Sequence, residues 1–135
     1  MKNPVTILLL ISLLSLTNLQ AQVPVVSWPD RFAASFGMEL ERDPEGKILI
    51  IRVDSTGEAA LKGVVPGNEL LGWNTLPSHK ALGKVRVRPY RRLFPGLTDD
   101  QIRLVLLTRG RQGESAEVFV MTATGNNRGI RLTAR

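Results

Sequence analysis

The chain has 135 residues, 43% of them hydrophobic, and carries a formal net charge of +6 at pH 7, which is a globular composition with a basic bias. It has no cysteine and only one histidine, His79, so disulfides are excluded and the usual Cys and His ligand sets of zinc sites are missing.

Residues 1–21 are predicted to be a secretory signal peptide. Lys2 precedes an apolar run at 5–16, and the small residue Ala21 marks the predicted cleavage point. The run of about twelve residues is shorter than the roughly 20 that span a bilayer, so an uncleaved anchor is the alternative. We therefore expect an exported protein, periplasmic or secreted, with no transmembrane span after cleavage.

Residues 22–135 are predicted to form one domain, long enough to bury a small core without disulfides. Charge is uneven along the chain, because residues 1–79 have a net charge of −2 and residues 80–135 a net charge of +8. A basic second half could bind an anionic partner, and an ordinary solvated surface is the alternative.

The first predicted elements are an extended lead-in over 23–30 and a β-hairpin. Residues 36–42 alternate between apolar and polar, which is typical of a strand. A turn composition at 43–46 leads into a second, β-branched strand over 47–53.

A short helix, a tight turn and a strand are predicted next. Ser55 and Glu58 have the spacing of a capping box, and Gly63 suits the left-handed end of the helix. Pro and Gly at 66–67 predict a type II turn, from which the strand 69–73 leaves.

The remaining elements follow a long connection over 74–97, in which the alternation at 84–88 predicts a short, half-exposed strand. Thr98 and Gln101 predict a second capping box, with a helix that runs to about Thr108 and stops at Gly110. Closing strands are predicted at 116–122 and 130–133.

Residues 59–74 resemble the A-A-x-x-G-φ-x-P-G-D-x-I-φ-x-φ-N segment of PDZ domains, with Asn68 in place of the usual Asp and Thr75 in place of the usual Gly. Upstream, Phe36-Gly37-Met38 resembles the φ-G-φ loop of the same family. The resemblance covers residues 31–122 and is poor over 75–97. It implies an α+β fold: a small antiparallel β-sandwich or partly open barrel with two helices and an insertion before the second helix.

The resemblance also implies a site that binds peptide or protein C-termini as an added strand between the second strand and the second helix. Carried over position by position, the carboxylate-binding residues are Arg31, Ser35, Phe36, Gly37 and Met38. The groove residues are Glu39, Leu40, Asp99, Arg103 and Leu106.

In this interpretation Phe36, Met38, Leu40 and Leu106 line a pocket for an aliphatic terminal side chain, and core packing is the alternative for them. Asp99 matches the selectivity position of the family and would favour a hydroxyl, Tyr or basic residue in the peptide. It also has the spacing to pair with Arg103, and its alternative role is to favour the helix start.

No catalytic constellation, metal site or cofactor motif is predicted, so we expect a protein that is not an enzyme. An alternative function is binding of an anionic lipid, polysaccharide or acidic protein by the insertion, through basic residues at Lys80, Lys84, Arg86, Arg88, Arg91 and Arg92. Nucleic acid is not an expected partner. A regulator that acts in trans on a protease is the other alternative.

Overall fold

The computed structural model of the protein describes residues 27–135, so the predicted signal peptide at 1–21 lies outside the described residues. The strands are β1 (Ala34–Ser35), β2 (Met38–Arg42), β3 (Ile48–Val53), β4 (Glu69–Trp73), β5 (Leu76–Pro77), β6 (Arg109–Gly110), β7 (Ser115–Met121) and β8 (Asn127–Thr133). The helices are α1 (Glu58–Leu61), α2 (Ser78–Gly83) and α3 (Asp99–Leu107), with 3₁₀ turns at Asp30–Phe32 and Arg88–Leu93.

Six strands form an antiparallel sheet in the order β2-β3-β4-β7-β8, with β5 paired to β4. The short strands β1 and β6 form a separate antiparallel pair. The sheet is open, because β2 and β8 lie at its two ends and do not pair with one another. The predicted α+β architecture is confirmed, and β2 is left as an edge strand.

Two hydrophobic clusters hold the sheet and helices together. The main core contains buried residues of β2, β3, β4, β7 and β8 together with Leu104 and Leu107 of α3. A second cluster contains Phe32, Val87, Ile102 and Leu106. One helix therefore packs into both clusters with different faces, as the 3.6-residue period allows.

The predicted turns of the first half are confirmed. Gly46, Gly63 and Gly67 all have positive φ, at 87°, 88° and 96°. The start of α1 differs from the prediction: its N-cap is Gly57, without a side-chain cap. The side chain of Asp54 instead accepts the Thr56 N–H at 3.1 Å, which puts Ser55 inside a turn that precedes the helix.

The predicted strand over 84–88 is wrong. The connection instead contains α2 and the 3₁₀ turn Arg88–Leu93. Val87 is buried in the second cluster beside Ile102 and Leu106, so a helix rather than a neighbouring strand covers the apolar side of this segment.

The capping box at the start of α3 is confirmed: the Gln101 N–H donates to the Thr98 hydroxyl at 3.2 Å, and the Gln101 side chain accepts the Thr98 N–H at 2.8 Å. The helix ends at Leu107, and Gly110 is part of β6 rather than the helix stop, because β1 offers it a strand partner. None of the helices within 27–135 has the length and apolarity needed to cross a membrane.

Candidate functional site

The outer edge of β2 presents backbone groups that no strand within residues 27–135 pairs with. The Asp54 N–H donates to the Gly37 carbonyl at 2.8 Å, and the Asp43 N–H donates to the Lys47 carbonyl at 2.9 Å. In an antiparallel pair of strands, residue pairs that exchange backbone hydrogen bonds alternate with pairs that do not. The β2–β3 pair is antiparallel, with a register shift between Glu39 and Leu40. The backbone N–H and C=O of Met38, Leu40 and Arg42 therefore point away from β3, toward the open edge.

Helix α3 contacts β2, so the open edge has a helix beside it. The guanidinium of Arg42 binds the carboxylate of Asp100 with two hydrogen bonds, of 2.9 and 3.1 Å. This bidentate pair lowers the pKa of Asp100, first through the hydrogen bond from Arg42. It ties the last residue of β2 to the first turn of α3.

At the predicted carboxylate loop, Gly37 has a φ of 79°, a conformation that favours glycine. Two of the loop's N–H groups already have acceptors within the protein. The Phe36 N–H donates to the Thr108 carbonyl at 2.9 Å, and the Gly37 N–H donates to the Ser35 hydroxyl at 3.0 Å. The Met38 N–H remains directed at the edge, so the loop offers one open donor and one held by a hydroxyl that can rotate.

A cavity of about 420 Å³ lies beside this loop. Four of the predicted site residues line it, namely Ser35, Gly37, Met38 and Glu39, together with residues 52–55 from the end of β3. Arg31, predicted to assist the carboxylate, lines two other cavities instead. The neighbouring Phe32 ring packs edge-on against Tyr90 of the insertion, with ring centroids 5.0 Å apart.

The four residues predicted to form one aliphatic pocket belong to two clusters. Phe36 and Met38 are buried in the main core, where the Phe36 ring packs edge-on against Trp73 with centroids 5.1 Å apart, and Leu40 is half-buried against them. Leu106 is buried in the second cluster, because Val87 of the insertion and Phe32 cover it. Phe36, Met38 and Leu106 are therefore core residues, which was the alternative to a role in the pocket.

Asp99 pairs with Arg91 rather than with Arg103. Two hydrogen bonds of 3.1 and 2.8 Å join the Arg91 guanidinium to the Asp99 carboxylate, and the pKa of Asp99 is lowered chiefly by them. Arg103, which has the spacing to pair with Asp99, instead acts on it only as a nearby charge that lowers the same pKa further. The 3₁₀ turn Arg88–Leu93 brings Arg91 to the start of α3, a contact that helical spacing alone does not reveal.

The six basic residues predicted at Lys80, Lys84, Arg86, Arg88, Arg91 and Arg92 are all exposed. Arg91 is neutralised by Asp99, and the others form no ion pair within 27–135.

Sequence reasoning missed Arg109 and Arg111, which line a cavity with Arg31. Their clustering depends on β6 pairing with β1, which no spacing in the sequence indicates. No group of side chains suited to holding a metal ion occurs in the described part of the chain.

Comparison with known proteins shows a similarity of fold. No protein-family model matches the chain, and no curated protein matches it at a significant level. The structure is similar to mature CPAF, with a TM-score of 0.55 and 14% identity over 78% of this chain and 21% of that chain. It is also similar to the photosystem II D1 C-terminal processing protease, with a TM-score of 0.54 and 15% identity over 89% of this chain and 26% of that chain.

A third solved structure is the PDZ domain of a carboxy-terminal protease from Vibrio cholerae in complex with peptide, with a TM-score of 0.45 and 15% identity over 75% of this chain and 92% of that chain. The chain spans about a quarter or less of the length of the first two solved chains. The open antiparallel sheet with its short helices agrees with the α+β architecture that the sequence predicted for a PDZ-like domain.

Proposed function

We propose that this PDZ-like domain is a non-enzymatic module that captures an extended peptide, preferably a protein C-terminus, by adding it as a strand to the outer edge of β2. The observation that carries the proposal is the set of backbone groups of Met38, Leu40 and Arg42, which face the open edge beside α3. Main-chain hydrogen bonds to such an edge supply affinity without requiring a particular peptide sequence. The unpaired N–H and C=O groups of such an edge strand can also pair with the strand of another chain, so proteins either use an edge for binding or protect it from aggregation.

The size of this edge sets the length of the peptide. β2 has 5 residues, which at about 3.3 Å per residue gives an edge of roughly 16 Å. The Arg42–Asp100 pair closes its far end, so the captured segment is about five residues long. A peptide that runs antiparallel to β2 places its terminal carboxylate at the loop of Gly37.

The terminal carboxylate would take two donors in this proposal. The Met38 N–H is open, and the Gly37 N–H becomes available when the Ser35 hydroxyl rotates away from it. A charged acceptor forms a stronger hydrogen bond than a hydroxyl, so exchange of the Ser35 oxygen for a carboxylate oxygen is favourable. Two successive donors make a shallow anion nest. The same proposal includes export of the module by the signal sequence at 1–21.

The test is titration of the protein spanning 22–135 with a library of labelled peptides that have a free C-terminus, each paired with its amidated form. We expect the free acids to bind at least tenfold more tightly. Gly37→Glu should abolish binding, because the new carboxylate occupies the loop. Gly46→Glu is the matched control: Gly46 also has positive φ, at 87°, but lies in the β2–β3 hairpin turn.

Amide exchange of the complex tests the added strand itself. Bound peptide should slow exchange of the N–H groups of Met38, Leu40 and Arg42, and leave those of β8, at the other end of the sheet, unchanged. Equal affinity for free and amidated peptides would overturn the carboxylate part of the proposal. Binding without protection of these three groups would overturn strand addition.

A further inference from the structure

Two neighbouring cavities on the side of the insertion share two residues, Arg31 and Phe32. The larger cavity, of about 600 Å³, is also lined by Arg109 and residues 111–114. The smaller, of about 430 Å³, is lined further by residues 84–86 together with Pro89 and Tyr90. We call this surface the basic trough, and its cations are Arg31, Lys84, Arg86, Arg109 and Arg111.

Arg109 is a charge that is partly removed from water without a carboxylate partner. Its guanidinium donates to the carbonyls of Phe32, at 2.8 Å, and Ala33, at 3.1 Å, and lies 4.0 Å from the ring centre of Trp28. Burial lowers the pKa of Arg109 from its ordinary value. Neutral carbonyls and a ring hold the group in place but leave its positive charge uncompensated.

The other cations of the basic trough are also without acidic partners. Within residues 27–135, none of the five forms an ion pair, and residues 1–26 contain no Asp or Glu. Glu114 is the acid that lines the larger cavity, and its carboxylate accepts the backbone N–H of Arg111 at 2.8 Å. The trough therefore concentrates positive potential in a concave surface, where an anion gains most.

The two cavities differ in what they can accept. Three arginines surround the larger one, and a guanidinium matches a carboxylate with two parallel hydrogen bonds. The smaller one offers the apolar surfaces of Phe32, Val85 and Tyr90 with Lys84 and Arg86 beside them. A ligand that fills both needs carboxylates and an apolar side chain a few ångströms apart, which is the chemistry of a short acidic peptide segment.

We infer that the basic trough binds an acidic segment of a partner protein, with Asp or Glu side chains against Arg31, Arg109 and Arg111 and a neighbouring aromatic or aliphatic side chain in the smaller cavity. A lone phosphate would use only the larger cavity. A lipid surface would be expected to take up protruding apolar side chains, and the most exposed large ones, Ile51, Leu61, Val65 and Leu97, line neither cavity.

The test is fluorescence anisotropy of the protein spanning 22–135 with a rhodamine-labelled peptide, Asp-Glu-Phe-Asp-Glu-Asp, whose C-terminus is amidated so that it presents no terminal carboxylate. The double variant Arg31→Gln with Arg111→Gln should weaken binding at least tenfold. Both side chains are exposed, so the fold should persist, which thermal melting checks. Arg131→Gln is the control, because it removes an exposed arginine that lines neither cavity, and binding should change less than twofold.

Two further peptides test the chemistry of the ligand. Replacement of all five acids by Asn and Gln should remove binding, and replacement of the Phe by Ser should weaken it about fivefold. Binding should also weaken as NaCl rises from 50 to 500 mM, because salt screens exposed charges. The inference is overturned if the neutral peptide binds equally well, or if the double variant binds the acidic peptide as the native protein does. It is also overturned if only inorganic phosphate, or only vesicles with anionic lipid, bind in a manner that needs Arg31 and Arg111.

Discussion

The loop cavity beside Gly37 and the basic trough are both concave, but they differ in how their polar groups are satisfied. At the loop, the Phe36 N–H bonds to the Thr108 carbonyl and the Gly37 N–H to the Ser35 hydroxyl, so internal acceptors hold two of the donors. In the trough, five cations have no carboxylate partner within the described residues. A ligand that binds the Gly37 N–H must displace the Ser35 hydroxyl, whereas a ligand in the trough meets cations that no carboxylate of the described residues pairs with.

The two regions also rest on different parts of the interior. Phe36 and Met38 of the loop are buried in the main core, while the trough is built on Phe32 and Val87 of the second cluster. Helix α3 joins the clusters through Leu104 on one side and Leu106 on the other. Damage to one cluster should therefore affect one region more than the other.

The largest effect is expected from Leu106→Ala, which removes a side chain that is 1% exposed from the second cluster. Loss of a buried leucine side chain costs about 2–5 kcal/mol of unfolding free energy, which urea titration measures. Amide exchange should accelerate more over 85–94 than over 36–38, because the trough wall rests on this cluster.

A matched control for that variant is Leu97→Ala, since Leu97 is 39% exposed and its loss should change stability by less than about 0.5 kcal/mol. Equal acceleration of amide exchange over 36–38 and 85–94 in Leu106→Ala would show that the two regions do not have separate supports.

The second effect in size is expected from Arg109→Lys, which keeps the charge but loses the planar fork. A lysine can donate to the carbonyl of Phe32 or Ala33 but cannot reach both and stack on Trp28 as the guanidinium does. We expect a loss of about 1.5–3 kcal/mol, as for a hydrogen bond to a charged group, measured by thermal or urea unfolding.

The acidic peptide should still bind Arg109→Lys within about threefold, since the positive charge remains in the trough. Arg131→Lys is the control and should change neither stability nor binding. A variant of full stability would show that the contacts of Arg109 with the carbonyls of Phe32 and Ala33 do not stabilise the fold.

Local patterns in the sequence predicted much of the fold but not the side-chain pairs of the site. Alternation located β2, and the spacing of Thr98 and Gln101 located the start of α3, because both signals lie within a few residues. The Arg42–Asp100 pair joins residues 58 positions apart, and such a contact follows only from the packing of α3 beside β2.

The insertion shows why alternation alone can mislead. Val85 and Val87 alternate with basic residues as in a strand, yet Val87 is covered by α3 and the chain continues into a 3₁₀ turn. Which face of a short segment is buried depends on its neighbours in three dimensions. Leu106 is a second example. Its position in the helix predicted that it faces the peptide groove, but in the structure Phe32 and Val87 cover it.

A smaller effect is expected from Ser35→Ala, which removes the acceptor of the Gly37 N–H. Loss of one part-buried hydrogen bond should cost about 0.5–1.5 kcal/mol. Peptides with a free C-terminus should then bind a few fold more tightly, because the Gly37 N–H no longer has to be released from the hydroxyl. Isothermal titration measures both the affinity and the enthalpy of that exchange.

The control is Ser55→Ala, an exposed serine that lines the same cavity. It should leave peptide affinity unchanged. Weaker binding of free-acid peptides to Ser35→Ala would contradict the internal-acceptor interpretation and indicate that the Ser35 hydroxyl itself binds the carboxylate.

The smallest effect is expected from the ion pair that closes the far end of the β2 edge. Arg42 lowers the pKa of Asp100 below the ordinary aspartate value of about 3.9, so folding favours the charged form. This contribution is fully present above that value and is lost as pH falls through the lower pKa of the folded state. The side chains are 35% and 40% exposed, so solvent screening limits the contribution to less than about 1 kcal/mol.

Urea unfolding at pH 7, 5, 4, 3 and 2 tests this sign. The loss of stability below pH 4 should be smaller in Asp100→Asn than in the native protein, and Arg42→Gln should reduce it by a similar amount. If Arg42 and Asp100 affect stability only through one another, the double variant Arg42→Gln with Asp100→Asn should reduce the loss of stability below pH 4 no further than either single variant. Glu41→Gln removes an exposed carboxylate of the same strand that forms no ion pair within 27–135, and it should alter the profile less than Asp100→Asn. An unchanged acid profile in Asp100→Asn would mean that the Arg42–Asp100 pair links β2 to α3 without stabilising the fold.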